Sequence, residues 1–197
     1  MKKSLLVSFT SVFFCVIVSG QEKSYKQPAT LGIHFIFNDF ATAQAIRSSS
    51  LSSVLRDGRF GKLKDMSQGL AISYGQGISE KFDFSSTIAG SFLSYPFRDR
   101  RSSGSEFLLL EADASVRGKM LSDRYWFVPY LQAGVGVSKY QGYWGTFIPA
   151  GVGIQISFFG EAYLQINSQY RIAVTESANY HFVHSIGLVG NIGKRNP

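Results

Sequence analysis

Apolar and polar side chains alternate along most of the chain beyond residue 28. A period of two is the pattern of a β-strand, because successive side chains point to opposite faces. The segment from Glu106 to Met120 shows this best, with Leu108, Leu110 and Val116 on one face. Its other face is polar and carries Glu111, Asp113, Ser115, Arg117 and Lys119. Such a strand is expected to separate an apolar environment from a polar one.

Eight segments follow this pattern and are separated by turn residues. They are predicted as strands at Ala29–Phe40, Gly69–Ser79, Phe82–Tyr95, Glu106–Met120, Tyr125–Ser138, Thr146–Phe159, Glu161–Val174 and Asn179–Ile192. Each exceeds the five or six residues usual in soluble proteins and reaches the roughly nine to eleven that a tilted strand needs to cross a membrane. The pattern predicts an all-β fold, an eight-stranded antiparallel up-and-down transmembrane β-barrel.

The connections between these strands differ in length at the two ends of the predicted barrel. Two of the connections are very short and consist of Glu80-Lys81 and of Gly160 alone. Two others are long loops, Ala41–Gln68 and Pro96–Ser105. Short periplasmic turns and longer outer loops are typical of outer-membrane barrels. Strands five and six are expected to be joined by the loop Lys139–Gly145. An even strand number places both termini on the periplasmic side.

Two local features qualify this picture. Ala41–Leu55 in the first loop is predicted to hold a short helix, whose apolar side is Ile46, Leu51, Val54 and Leu55. Pro129 and Pro149 fall inside strands five and six, where proline cannot donate to the ladder. Bulges near the rims are expected to accommodate both prolines.

Aromatic residues cluster near the strand ends and predict a girdle at each membrane interface. One set comprises Phe82, Phe84, Tyr125–Phe127 and Phe158–Tyr163; the other comprises Tyr95, Phe97, Tyr140–Trp144, Tyr180 and Phe182.

A barrel in lipid must be closed, because every backbone N–H and C=O needs a partner within the protein. Its apolar faces then point outward, and an eight-stranded lumen is filled by side chains. The predicted lumen network consists of Glu111, Asp113, Arg117, Lys119, Gln165, Asn167, Gln169 and Arg171, with His34 on the same side. Since carboxylates and cations both occur in this set, ion pairs are expected rather than an open pore, with Arg117 and Lys119 compensating Glu111 and Asp113.

Residues 1–20 have the features of a cleaved signal peptide, so residues 21–197 are expected to form the barrel domain. Lys2 and Lys3 precede the apolar stretch Leu5–Val18, which is too short to span a bilayer as a helix. Cys15 lies within that stretch after two phenylalanines, which makes a lipoprotein signal the less favoured alternative. The whole chain carries a formal charge of +7, and loss of Lys2 and Lys3 leaves +5.

Composition excludes several kinds of site. The only cysteine lies in the signal, so the mature domain offers no disulfide, thiolate metal site or cysteine nucleophile. Charged residues make up 17% of the chain, below the roughly 25% of soluble domains. No pattern indicates a cofactor.

Two histidine patterns could carry chemistry. His181 and His184 are three apart, which on a strand puts them on opposite faces, so a shared metal is not expected. His184-Ser185 also face opposite ways, and His181 is about 13 Å from Ser185 along the strand, too far for a nucleophile–base pair. We therefore do not expect an enzyme.

Basic residues are frequent in the first two long loops, namely Arg47, Arg56, Arg59, Lys62, Lys64, Arg98, Arg100 and Arg101. At the outer surface they are expected to meet anionic lipid headgroups, although ordinary solvated loops would have the same composition. Nucleic-acid binding is not expected of an exported barrel, and the protein is expected to be a monomer in outer-membrane lipid.

Three strings carry a family resemblance: Tyr130–Gly136, Phe147–Gly153 and the Tyr170-Arg171 strand. They resemble OmpA-like outer-membrane barrels of Bacteroidetes-type bacteria across the mature chain. The resemblance implies a barrel anchored in the outer membrane of a Gram-negative-type bacterium. Many such proteins add a C-terminal peptidoglycan-binding domain, which residues up to Pro197 do not include.

The favoured function is therefore a structural or surface-interaction role with a filled lumen. Three alternatives stay open: a narrow porin-like channel, a lipid-modifying outer-membrane enzyme, and a soluble periplasmic barrel that binds a small apolar ligand.

Overall fold

A computed structural model describes residues 26–98, 104–158 and 161–193. It contains eight strands: β1 Thr30–Asp39, β2 Ser67–Gly77, β3 Phe82–Leu93, β4 Phe107–Lys119, β5 Phe127–Tyr140, β6 Tyr143–Phe158, β7 Ala162–Ala173 and β8 His181–Asn191. The strands close into one barrel in sequence order. Every neighbouring pair is antiparallel, including the closing pair β1–β8. The predicted fold is confirmed, and each strand lies within a few residues of its predicted position.

The two faces of the wall divide as the alternation predicted. Ile33 and Val135 on the outer face are 63% and 67% exposed, whereas Arg171 on the inner face is 2% exposed. Leu110 and Val116 are also exposed, and Arg117 and Gln165 are buried. An apolar surface that encircles the whole barrel would be unfavourable in water and is the exterior found in lipid.

The long outer loop contains two helices where the sequence predicted one. Helix α1, Phe40–Ser48, begins at Asp39, whose carboxylate accepts a hydrogen bond from the Thr42 N–H at 2.8 Å. Ser50 caps helix α2, Leu51–Arg56. Val54 is buried, but Leu51 and Leu55 are exposed, so these two do not form the expected apolar side. No helix in the described ranges has the length and hydropathy needed to cross a bilayer.

The connection between β5 and β6 is a tight hairpin, and the predicted loop Lys139–Gly145 is wrong. Both strands continue to a two-residue turn at Gln141-Gly142, where Gln141 has φ of 55°. Tyr140 and Tyr143 are paired across its base. Aromatic residues favour strand structure. Those in this segment therefore extend the pairing of β5 and β6 into residues that were predicted to form a loop.

The expected bulges at the two prolines are also wrong. Pro129 pairs with Ile154, and the β5–β6 register is the same on both sides of Pro149. Pairing between these strands lapses only over Gly134-Val135 and Ile148-Pro149. Pro149 remains paired with Arg171 on its other side. The β5–β6 ladder thus loses pairing at this point, but neither strand contains the extra residue that defines a bulge.

Aromatic side chains do lie near both rims, but not all of them face outward. Trp126, Phe158 and Trp144 are exposed on the exterior. Tyr95, Tyr140 and Tyr163, which the sequence assigned to the girdles, are buried. Strand position alone could not separate these inward rings from the girdle.

Candidate functional site: the lumen and its outer cap

An ion cluster fills the outer half of the lumen. Arg171 on β7 pairs directly with Glu111 on β4, and its Nη2 lies 3.6 Å from Asp113 Oδ2. His181 on β8 places Nε2 3.5 Å from the other oxygen of Glu111. All four side chains are almost fully buried. The guanidinium of Arg171 also lies 4.6 Å from the centre of the Phe147 ring, so this cation faces an aromatic surface as well as carboxylates.

An aromatic cap covers this cluster at the outer opening. Phe40 at the start of α1 stacks on His181 with ring centres 4.4 Å apart, and it meets Tyr95 edge-on at 5.4 Å. Tyr95 lies 5.2 Å from Tyr140, whose hydroxyl donates to the Leu93 carbonyl at 2.9 Å. The Tyr95 hydroxyl accepts from the Asn179 N–H at 2.7 Å. Burial raises the pKa of the Tyr95 phenol above its ordinary value, so Tyr95 caps the lumen as a neutral group.

A second ion cluster lies at the inner end. Lys119 at the end of β4 bonds Asp83 at 2.9 Å and Asp123 at 2.5 Å. Gln155 donates to the other oxygen of Asp123 at 3.4 Å. At the inner mouth, Gln27 donates to the Tyr163 hydroxyl at 2.8 Å and is itself buried. The segment before β1 therefore helps to close this end.

Further polar side chains occupy the lumen between the two ion clusters. The Tyr130 hydroxyl accepts from Gln165 at 2.7 Å and from Asn167 at 3.0 Å, and Asn167 also donates to Gln132 at 2.9 Å. Arg117 donates to Ser85 at 2.6 Å and lies 5.4 Å from the Tyr130 ring centre.

The eight residues predicted as the lumen network are all buried, but their pairing differs from the expectation. Arg117 and Lys119 were expected to compensate Glu111 and Asp113 along the same strand. Arg171, three strands away, fills that role. The partners Asp83, Asp123, Tyr130 and His181 were missed as members of the network. The inward register of Asp83, Tyr130 and His181 was visible in the alternation, whereas Asp123 lies in the turn between β4 and β5. Which side chains meet across the lumen was not visible in the sequence.

The middle of the lumen contains a small cavity among the described residues. One cavity of about 20 Å³ lies among His34, Asp113, Arg117, Asn167 and Gln169. A water molecule needs about 10–15 Å³ of such volume, so the cavity holds about one. Buried oxygens of Gln165, Asn167 and Gln169 lack a hydrogen-bond partner among the described residues. One ordered water in the cavity could donate to two of these three oxygens.

The predicted basic outer residues do not form one patch. Arg56 and Arg59 contact Asp57, with nitrogen–oxygen distances of 3.5 and 3.0 Å. Lys62 and Lys64 are exposed beside or within a short 3-10 helix, Leu63–Asp65. Arg100 and Arg101 lie outside the described residues. Arg47 and Arg98 come together on Tyr180, with guanidinium carbons 3.9 and 5.0 Å from its ring centre.

The two histidines of β8 face opposite sides, as predicted. His184 is partly buried on the outer face and forms a 2.9 Å hydrogen bond with Ser168 on β7, a contact that sequence reasoning missed. Nucleophilic catalysis needs a third group that orients the histidine. Nε2 of His184 has no hydrogen-bond partner among the described residues, so the pair lacks that group. Across the described ranges, no three or more His, Cys, Asp or Glu side chains are arranged to hold a metal ion.

Comparison with known proteins supports the fold. No family model and no curated protein sequence matches the chain. Among solved structures, it is similar to the outer-membrane protein OprG of Pseudomonas aeruginosa, at 11% identity over 86% of this chain and 98% of that one, with a TM-score of 0.58. It is also similar to the N-terminal β-barrel domain of OprF from the same organism, at 9% identity over 84% and 98%, with a TM-score of 0.51. The chain therefore has the fold of small outer-membrane β-barrels.

Proposed function

We propose that this protein is an outer-membrane barrel without a pore, which anchors a structured cap at the cell surface for a structural or interaction role. The packing of buried side chains inside the barrel carries this proposal, because the cavity described above in the lumen measures only about 20 Å³. The Glu111–Arg171 pair, the aromatic cap and the Lys119 cluster fill successive levels of the barrel. A conducting pore would need a continuous aqueous path, whereas a cavity of about 20 Å³ holds about one water molecule.

Ion conductance across planar bilayers tests this proposal. The purified barrel should give no discrete current steps, while an open porin reconstituted in parallel should give them. Heat-modifiability on a gel shows that the inserted protein is folded, because a membrane barrel stays compact in detergent until it is boiled. Regular current steps from the folded protein would favour the narrow-channel alternative.

Outer-membrane location and processing form part of the same proposal. The apolar exterior and the fold shared with OprG and OprF support insertion in the outer membrane. Residues 1–20 would be removed on export, leaving a monomeric barrel that starts at Gln21 and has no cofactor or catalytic centre. The resemblance to Bacteroidetes-type members stays a prediction.

Fractionation and intact-mass measurement test this part. The protein should be found in the outer-membrane fraction with the mass of residues 21–197. Recovery from the soluble periplasmic fraction without detergent would support the soluble-barrel alternative. A mass that includes a lipid on Cys15 would support the lipoprotein alternative.

A further inference from the structure

A cleft of about 360 Å³ with two arginines in its wall opens at the outer end, beside the aromatic cap. Helix α1 contributes Gln44 and Arg47 to it, the loop after β3 contributes Arg98, and the segment before β8 contributes Asn179 and Tyr180. Clefts of about 300–1,000 Å³ are the usual size for small-molecule sites. This cleft is much larger than the cavity in the lumen. Its charged lining residues are two arginines, whereas the cavity is lined by Asp113 as well as by Arg117 and Arg171.

Two arginines hold their guanidinium groups against the same ring in this cleft. Arg47 lies 3.9 Å and Arg98 5.0 Å from the centre of Tyr180. Neither takes part in any ion pair between described residues. Arg56 and Arg59, in the same outer loop as Arg47, both contact Asp57. Two cations held against one ring repel each other, and an anion bound to both would relieve that repulsion, which no carboxylate among the described residues relieves by an ion pair.

The walls of the cleft are fixed before any ligand arrives. The Asn179 side chain donates to the Pro96 carbonyl at 2.5 Å, which joins the segment before β8 to the loop after β3. Helix α1 is fixed by the Asp39 cap and by the Phe40–His181 stack. Tyr180 is backed by Tyr170, with ring centres 6.2 Å apart. A preformed site loses little conformational freedom on binding.

We propose that this cleft binds a phosphate or sulfate ester carried on a sugar-sized molecule. A tetrahedral ester presents three acceptor oxygens and can bridge two guanidinium forks, for which arginine is the favoured residue. The volume exceeds what a single inorganic anion fills, and the exposed Gln44 amide can bond hydroxyl groups beside it. This inference deepens the proposed surface role and does not depend on whether the lumen is closed.

Calorimetric titration of the folded protein in phosphatidylcholine nanodiscs tests the site. Glucose 1-phosphate should bind, and glucose should not. The double variant Arg47→Gln/Arg98→Gln should weaken binding at least about tenfold, because it removes two charge-assisted contacts. The matched variant Arg56→Gln/Arg59→Gln removes the same charge from the same outer end and should change affinity by less than about twofold.

Three results would overturn the proposal: no binding of glucose 1-phosphate, an equal loss in both double variants, or unchanged affinity in Arg47→Gln/Arg98→Gln. Heat-modifiability of each variant excludes misfolding as the cause of a loss. Current steps in planar bilayers would overturn the closed-barrel proposal and leave the cleft untouched, so the two failures are distinguishable.

A second arm identifies the source of the ester. Nanodiscs that contain phosphatidylglycerol present a lipid phosphate at the rim. If that phosphate occupies the cleft, glucose 1-phosphate should no longer bind in these discs while it binds in the neutral ones. Binding that persists in both discs assigns the site to a soluble or extracellular ligand. Either result supports the site.

Discussion

The outer and inner ends of the lumen are both closed by buried ions, but they are built differently. At the outer end Arg171 stands between Glu111 and Asp113, beneath the rings of Phe40 and Tyr95. At the inner end Lys119 stands between Asp83 and Asp123, close to the turn that follows β4. One cation faces two carboxylates in each cluster. The stacked rings of the cap cover the outer cluster, whereas the inner end is closed by the turn and by Gln27 on Tyr163.

This difference indicates which of the two clusters costs more stability when it is broken. A buried charge that loses its partner is costly in proportion to how well water is excluded from it. Both clusters are buried. Asp123 of the inner cluster lies in a turn, however, and a turn can rearrange to admit water once Lys119 is removed more easily than the packed rings that cover the outer cluster can. The outer cluster should therefore contribute more when it is broken, although both clusters contain the same kinds of charge.

Arg171→Met should produce the largest loss of stability. It leaves Glu111 and Asp113 buried without the arginine that neutralises them, and a buried pair that loses one partner costs about 3–5 kcal/mol. The free energy of unfolding in denaturant, measured for the barrel in lipid vesicles, tests this. Arg124→Met, on an exposed turn residue, is the matched control and should change stability by less than about 0.5 kcal/mol. A loss below about 1 kcal/mol in Arg171→Met would contradict the role given to the outer cluster.

Lys119→Met should cost less, about 2 kcal/mol, because Asp83 and Asp123 can regain water at the inner end. The same unfolding measurement ranks the two clusters directly. If Lys119→Met costs as much as Arg171→Met, the aromatic cap does not make the outer cluster more sensitive. The double variant Lys119→Met/Asp123→Asn should recover part of the loss, since one unpaired carboxylate is removed.

The sequence predicted the orientation of the lumen residues but not their pairing. The alternation of apolar and polar residues predicted that Glu111 and Arg171 point inward. A register shift of one residue would move every side chain of a strand to the opposite face. It could not show that Arg171 on β7 reaches Glu111 on β4. That contact depends on the stagger between strands around the closed barrel, and no local pattern records the stagger.

The aromatic cap and the cleft beside it were even harder to predict from the sequence. Phe40 was assigned to the end of a strand, and Tyr95 and Tyr140 to the girdle, because aromatic rings at a rim look alike in sequence whichever way they face. Arg47 and Arg98 were only two members of a basic set. Their meeting on Tyr180 requires three loops to be brought together by the barrel beneath them, which strand-level reasoning does not supply.

Gly187→Ala tests whether the middle of the lumen is as closely filled as its ends. A Cβ at this position would contact the His34 ring and lie 2.5 Å from the Ile33 carbonyl oxygen. Backbone cannot easily move there, so a loss of about 1–3 kcal/mol is expected. Gly190→Ala on the same strand has nothing within 4 Å of its Cβ and should be close to neutral. Equal effects of the two substitutions would show that the middle is loosely packed.

The smallest expected effect concerns Tyr95 and changes with pH. Burial raises the pKa of its phenol in the folded state, while the unfolded chain has a value of about 10. The folded state therefore favours the proton, and the stability from Tyr95 is fully present below about pH 10 and is lost as pH rises further. Near pH 7, Tyr95→Phe should cost about 1 kcal/mol, because the Asn179 N–H loses its acceptor.

At pH 10.5 that difference between Tyr95→Phe and the unsubstituted protein should shrink, because only the protein with Tyr95 must keep a phenol protonated in the cap. The free energy of unfolding at the two pH values measures this. Tyr125→Phe, at an exposed position, should show no such change. If both variants respond to pH alike, the alkaline effect comes from the protein's general charge and not from Tyr95, and the cap then excludes water less well than the outer cluster requires.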